Sequence, residues 1–215
     1  MKLITFHAIV ITMSIIPGQF KSGIQSTLNS TKEVESNSKK GHYVGEVFGG
    51  GVVCKVDKDK GEDGKQHGLI VSIHQLSSGA VWGPFKNIPG CESYWNGAAN
   101  TEAIMKNGGT ATDAAGLCAA YSNEGFDDWY LPSIDELREL GYNAETVNKS
   151  LKKIKTGAQL LDMKWQHWSS TEVGDDSRYD PKTTVSYCTF DPNWVHKSYV
   201  GDKKEKYYVR AVRAF

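Results

Sequence analysis

Residues 127–140 read DDWYLPSIDELREL and place five carboxylates within fourteen positions, beside a Trp, a Tyr and a Pro. Side chains of this type can serve as a paired acid and base, or as oxygen ligands for a hard cation. The spacing favours a third use. Ser133-Ile134-Asp135-Glu136 has the S-x-x-E form of a capping box, in which the Ser hydroxyl accepts from the amide of Glu136. The Glu carboxylate reaches back to the amide of Ser133. Asp135 falls in the first turn, where the positive end of the helix dipole favours an anion. Ile134, Leu137 and Leu140 recur at three-residue spacing and turn one side of the helix inward, which leaves Glu139 facing solvent. Asp127 and Asp128, in a GFDD turn, have no role in this reading. The stretch predicts a short strand at Trp129–Leu131, ended by Pro132, and then a helix.

Other clusters fail more simply. Asp57, Asp59 and Asp63 alternate around Gly61, but a calcium loop of the EF-hand type needs Gly at its sixth position and Glu at its twelfth. Counted from Asp57, those positions hold Glu62 and Gly68, so the segment reads as a solvated turn. No G-x-S-x-G, H-E-x-x-H, P-loop or dinucleotide glycine pattern occurs. The glycines of GEVFGGGVV lead into a strand rather than a helix, so a phosphate would find no helix dipole there. The histidines are scattered without ligand spacing. The residues point to no metal and no cofactor, and to a binding protein rather than an enzyme. A Cys nucleophile with a distant His is the enzymatic alternative.

The elements that would position any site follow from composition and pattern. Lys+Arg and Asp+Glu both number 25 in 215 residues, and zero net charge gives no electrostatic footprint for nucleic acid. Gly 22 with 6 Trp, 10 Tyr and 7 Phe suggests many turns and short strands. Lys2 precedes the apolar run LITFHAIVITMSII, broken by Pro17-Gly18, which reads as a secretory signal peptide over residues 1–23. At 14 residues the run is short for a membrane span, and none is expected in the mature chain. Residues 24–41, rich in Ser, Thr, Asn and Lys, read as a disordered tether, and 42–215 as one folded domain. Within it, residues 43–57 and 67–73 predict a hairpin with a long tip. Residues 100–109 and 111–122 predict helices, 166–172 a strand, and 207–215 a final interior strand, apolar on both faces. Residues 172–206 read as one long, turn-rich excursion.

The ordered set WYLPSIDEL (129–137), WSST (168–171) and VRAVR (209–213), with LCAAY before it, resembles the bacterial domain family DUF1566. That family is also known as the C-terminal domain of the Legionella collagen-like protein. The resemblance spans roughly residues 43–215. It implies an α+β, C-type-lectin-like domain: two helices flanking a curled antiparallel sheet, chain ends in neighbouring strands, and a long irregular loop region. Related lectin-like domains carry ligand contacts on that excursion, here residues 172–206. The residues so marked are Asp175, Asp176, Arg178, Tyr179, Asp191, Asn193 and Trp194. The implied role is an exported module, secreted or at the cell surface, that recognises a glycan in adhesion. The alternative is a protein-interaction or structural surface module of adhesin or pilus type, without a glycan site. Two departures stand out. The family often pairs the Cys of its first helix with a Cys in the closing strand, but Ala211 stands opposite Cys118 here. Cys54, Cys91, Cys118 and Cys188 allow three pairings, and Cys118 is read first as a buried thiol. The calcium tripeptide of animal C-type lectins is also missing, and Asp191-Pro192-Asn193-Trp194 echoes it only in part.

Overall fold

Residues 49–56 and 68–72 show how the chain starts. Gly49 and Gly50 hold positive φ (57° and 79°) and turn β1 (Val47–Phe48) back onto β2 (Gly51–Val56). The polar tip 57–67 then returns the chain as β3 (Gly68–Ser72), antiparallel to β2, with Cys54 bulged out of register between Val53 and Lys55. This is the hairpin with a long tip that the two runs flanking the polar turn predict. The computed structural model describes residues 41–155, 157–174, 178–195 and 197–215. The predicted leader, and all of the predicted tether but Gly41, lie outside the described residues, and His42–Phe215 forms one compact unit.

The strands form two sheets rather than one curled sheet. The first runs β1-β2-β3-β9, with β9 at Val212–Ala214, so the first and last strands of the unit share a sheet. The second runs β4-β8-β5-β6-β7: β4 Ser77–Ala80, β5 Gln166–Glu172, β6 Thr184–Thr189, β7 Tyr199–Asp202 and β8 Tyr207–Val209. All its pairings are antiparallel except β5 with β8, where His167 faces Tyr208. The predicted final strand 207–215 is thus two strands, and Arg210-Ala211 is the step from one sheet to the other. The excursion 172–206 is also more regular than its composition suggests, because β6 and β7 form a hairpin against β5.

Among the described residues four helices cover the sheets, where the residues predict three and the resemblance implies two. They are α1 (Gly97–Lys106), α2 (Ala114–Ala119), α3 (Ile134–Tyr142) and α4 (Ala144–Leu151). The first starts three residues earlier than predicted, and the second is a short core of the predicted 111–122. No strand forms at 129–131, where Tyr130 makes an isolated bridge with Val212. Alternate residues of β2 and β3 face opposite cores. Val52, Leu69 and Val71 join Leu137, Leu140 and Val147 of α3 and α4, whereas Val53 and Ile70 join Ile104, Trp129 and Trp168. Burial on both faces explains why β3 is apolar without alternation. The four cysteines are buried free thiols, two in each core.

The signature segments are stitched to one another. Thr171 Oγ1 of β5 accepts from the Ile134 N–H at 3.0 Å, capping α3 from another element, and donates to the Ser93 carbonyl at 2.9 Å. The Ser170 N–H donates to the Pro132 carbonyl at 2.7 Å. Trp168 Nε1 donates to Ala80 O, and Trp82 Nε1 returns to Ser169 O. WSST therefore holds LPSIDE in place.

Candidate functional site

Glu136 is the return half of the capping box, and it does more than cap. Oε2 accepts from the N–H groups of Ser133 (2.8 Å) and Gly97 (3.1 Å), and Oε1 from the Tyr130 hydroxyl (3.1 Å). One carboxylate thus ties the first turns of α1 and α3 together, and burial raises its pKa. Gly97 has to be Gly, since a Cβ there would lie 2.4 Å from Glu136 Oε2 and 2.5 Å from Ser133 N. Asp128, unassigned by sequence, forms a two-toothed pair with Arg213: Nε to Oδ1 at 2.5 Å and Nη2 to Oδ2 at 2.8 Å. The guanidinium holds the Asp128 carboxyl below its usual range. Arg210, the other arginine of VRAVR, is buried and donates to the carbonyls of Ser72, Gln159 and Leu160. The stretch is architecture, but its solvent side opens onto a cleft.

That cleft, about 270 Å³, lies between α3 and the ends of β2, β3 and β9. Its charged wall carries Asp57, Asp135, Glu136 and Glu139 against Lys55 and His67. Lys55 Nζ pairs with Asp57 (2.9 Å), and Asp135 with Arg138 (2.8 Å). Glu139 makes no side-chain hydrogen bond or ion pair among the described residues. His67 Nε2 faces Asp63 Oδ1 at 2.9 Å and Nδ1 faces the Phe215 carbonyl at 3.1 Å. Two oxygen neighbours favour the imidazolium, and the Asp63 carboxylate, then the carbonyl, raise the His67 pKa. Trp95 stands on the rim with 73% of its surface exposed, the most exposed large apolar side chain among the described residues. Such a wall can hold a cationic group by charge-assisted hydrogen bonds, with an indole face beside it. Among the described residues no three His, Cys, Asp or Glu side chains are grouped to hold a metal ion.

A second cavity, about 360 Å³, lies at the other end of α3, where Tyr142, Glu145, Thr146, Met163, Pro192 and Val195 line it. Tyr94, Trp95 and Tyr142 are all exposed, and Arg138 links the two ends through Asp135 and the Tyr142 hydroxyl (3.5 Å). Sequence reading passed over Trp95. An aromatic pair inside the polar loop CESYWNG was the available signal, but the cleft's other walls come from positions 55–69 and 130–215.

The residues marked on the excursion fall as follows. Asp175 and Asp176 lie outside the described residues. Arg178 sits over the Tyr179 ring at 5.8 Å, and Tyr179 is exposed. Asp191 and Asn193 bond one another: Asp191 Oδ1 accepts from the Asn193 N–H (2.8 Å) and Nδ2 (3.0 Å). The Asp191 carbonyl accepts from Trp194 and Val195, closing a turn. Trp194 is exposed with Lys197 Nζ 4.5 Å from its ring. The turn meets the second cavity through Pro192 and Val195. On the side of the other core, Tyr187 stacks with Tyr199 at 5.5 Å and meets Tyr207 at 4.8 Å, a row of half-buried rings across β6, β7 and β8.

No known family matches the chain as a whole or in part, and no curated protein matches it. Among solved structures it is similar to a fimbrial protein from Bacteroides ovatus ATCC 8483, at 17% identity and a TM-score of 0.53. The match covers 75% of this chain and 43% of that one, so the chain spans less than half of the fimbrial protein's length. A likeness at this identity is one of fold. The fold shared is α+β, with few helices and two sheets paired mainly antiparallel.

Proposed function

We propose that the chain is a cell-surface module of adhesin or fimbrial type, acting through contact with another protein rather than by catalysis. The observation that carries this is the likeness of three quarters of the chain to a fimbrial protein. The exposed Tyr94–Trp95–Tyr142 surface beside two cavities supports it, because aromatic and Arg side chains are enriched where proteins meet. In this reading the leader exports the chain, residues 24–41 tether it, and the domain is a DUF1566-like variant of the C-type-lectin-like fold. No helix of the described residues is long and apolar enough to cross a membrane. Immunogold labelling of intact producing cells with an antibody against the full chain tests the location. Label on the surface or on filaments is expected, and label seen only after lysis would overturn the reading.

A glycan ligand is the second reading, favoured by the Tyr187–Tyr199–Tyr207 row and the exposed Trp194, whose ring faces suit sugar C–H surfaces. Binding on a glycan array that disappears with Trp194→Ala plus Arg178→Ala is its expected signature. An array without hits removes it.

A further inference from the structure

We infer that the surface along α3 docks an extended segment of a partner protein, with a Lys or Arg side chain in the Trp95 cleft and an apolar side chain in the Tyr142 cavity. The inference rests on the surface-module reading and names the chemistry of its partner. Three features select this occupant.

The first is charge. The cleft wall presents four carboxylates against Lys55 and His67; Glu139 among them makes no side-chain hydrogen bond or close ion pair among the described residues and feels Lys55 only at longer range. A cation entering there meets a carboxylate with no hydrogen-bonded partner and the exposed Trp95 ring, which can pair with and stack on the same group.

The second is the chemistry at the far end. Met163, Pro192 and Val195 give the second cavity apolar lining beside the Tyr142 ring, and Glu145 and Thr146 make the rest of its wall polar. Methionine lining adapts to aliphatic and aromatic shapes alike.

The third is distance and composition. Asp135 to Tyr142 spans seven residues of helix, about 10 Å of rise. An extended chain advances about 3.3 Å per residue, so residues three or four apart reach both ends. Tyr94 stands at the first end, where its carbonyl accepts from the Asp135 N–H at 3.1 Å, and Tyr142 at the other, with the Arg138 guanidinium between them held by Asp135. Rigid aromatics and a held Arg beside a pocket are the usual makeup of a binding hot spot.

The test is selection of a phage-displayed library of random twelve-residue peptides on the immobilised full chain. Enriched peptides should carry Lys or Arg three or four residues from a Leu, Ile, Phe or Tyr. Synthetic versions should lose at least tenfold in affinity on Trp95→Ala and on Glu139→Lys, weaken with added salt, and be unmoved by Trp165→Ala, an exposed indole outside both cavities. Failure to enrich any peptide, enrichment without a basic residue, or binding indifferent to both Trp95→Ala and Glu139→Lys would overturn the inference. Because surface labelling is read separately, a positive label with a negative selection rejects the occupant and leaves the location intact.

Discussion

Glu136 shows how far a short local pattern can be trusted. The capping role was legible because Ser133 and Glu136 lie three residues apart. Its second role, receiving Gly97 N–H and the Tyr130 hydroxyl, was not, because those partners arrive from another loop. The same non-locality moved the start of α1 to Gly97, where no side chain fits. Gly97→Ala should destabilise the chain by about 3 kcal/mol, as overpacking against backbone does, measured by urea unfolding. Thr171→Val should cost about 1–2 kcal/mol by removing the cap on Ile134 and the bond to Ser93, with little change in shape. Asp128, silent in sequence, needed the end of the chain to explain it. Its pair with Arg213 is more than half exposed on the carboxylate side, so Asp128→Asn should cost about 1 kcal/mol or less.

Among the elements, the excursion 172–206 is anchored at its base. Glu172, the last residue of β5, and Lys203, just past β7, pair with both side chains fully buried. Glu172 also accepts from the Ile88 N–H at 2.9 Å, and Lys203 Nζ donates to the Lys86 carbonyl at 2.6 Å and lies 4.6 Å from the Trp82 ring. Burial raises the Glu172 pKa against the pull of Lys203. Lys203→Met alone should cost about 3–5 kcal/mol because it strands a buried carboxylate, whereas Lys203→Met with Glu172→Leu should recover most of the loss. Neither partner could be picked out by sequence, since Lys and Glu mostly lie at the surface. The strand-like runs 51–56 and 68–72 around a polar tip were legible as a hairpin. The run 207–215 was not legible as two strands, because a step between sheets keeps both faces apolar just as an interior strand does.

At the scale of the molecule, the two cores stack on opposite faces of shared sheets, and His167 of β5 packs against the one that holds Cys188 and Phe190. Its ring is fully buried, stacks on Phe190 at 4.1 Å, and its Nδ1 faces the Trp165 carbonyl at 3.0 Å. Burial first, and Arg210 second, lower its pKa from 6.5 to about 3. The unfolded chain therefore binds a proton that the folded one refuses between these values. Its contribution to stability falls as the pH drops below 6.5, by about 1.4 kcal/mol per unit, and levels near 3. His167→Leu should flatten that limb of a stability-against-pH curve relative to the natural chain. The cleft under Trp95 belongs to this scale too. Its walls come from β2, β3, β9, α3 and the loop before α1, so no single segment could announce it.

Replacing Trp95 in the full chain with a photo-reactive benzoyl-phenylalanine, in living cells that make the protein, reads the contact where it occurs. Irradiation should join the chain to a second extracellular protein when the probe stands at 95, and not when it stands at Trp165. A chain that stays uncoupled at 95, or couples equally at both positions, would contradict a protein-binding surface along α3.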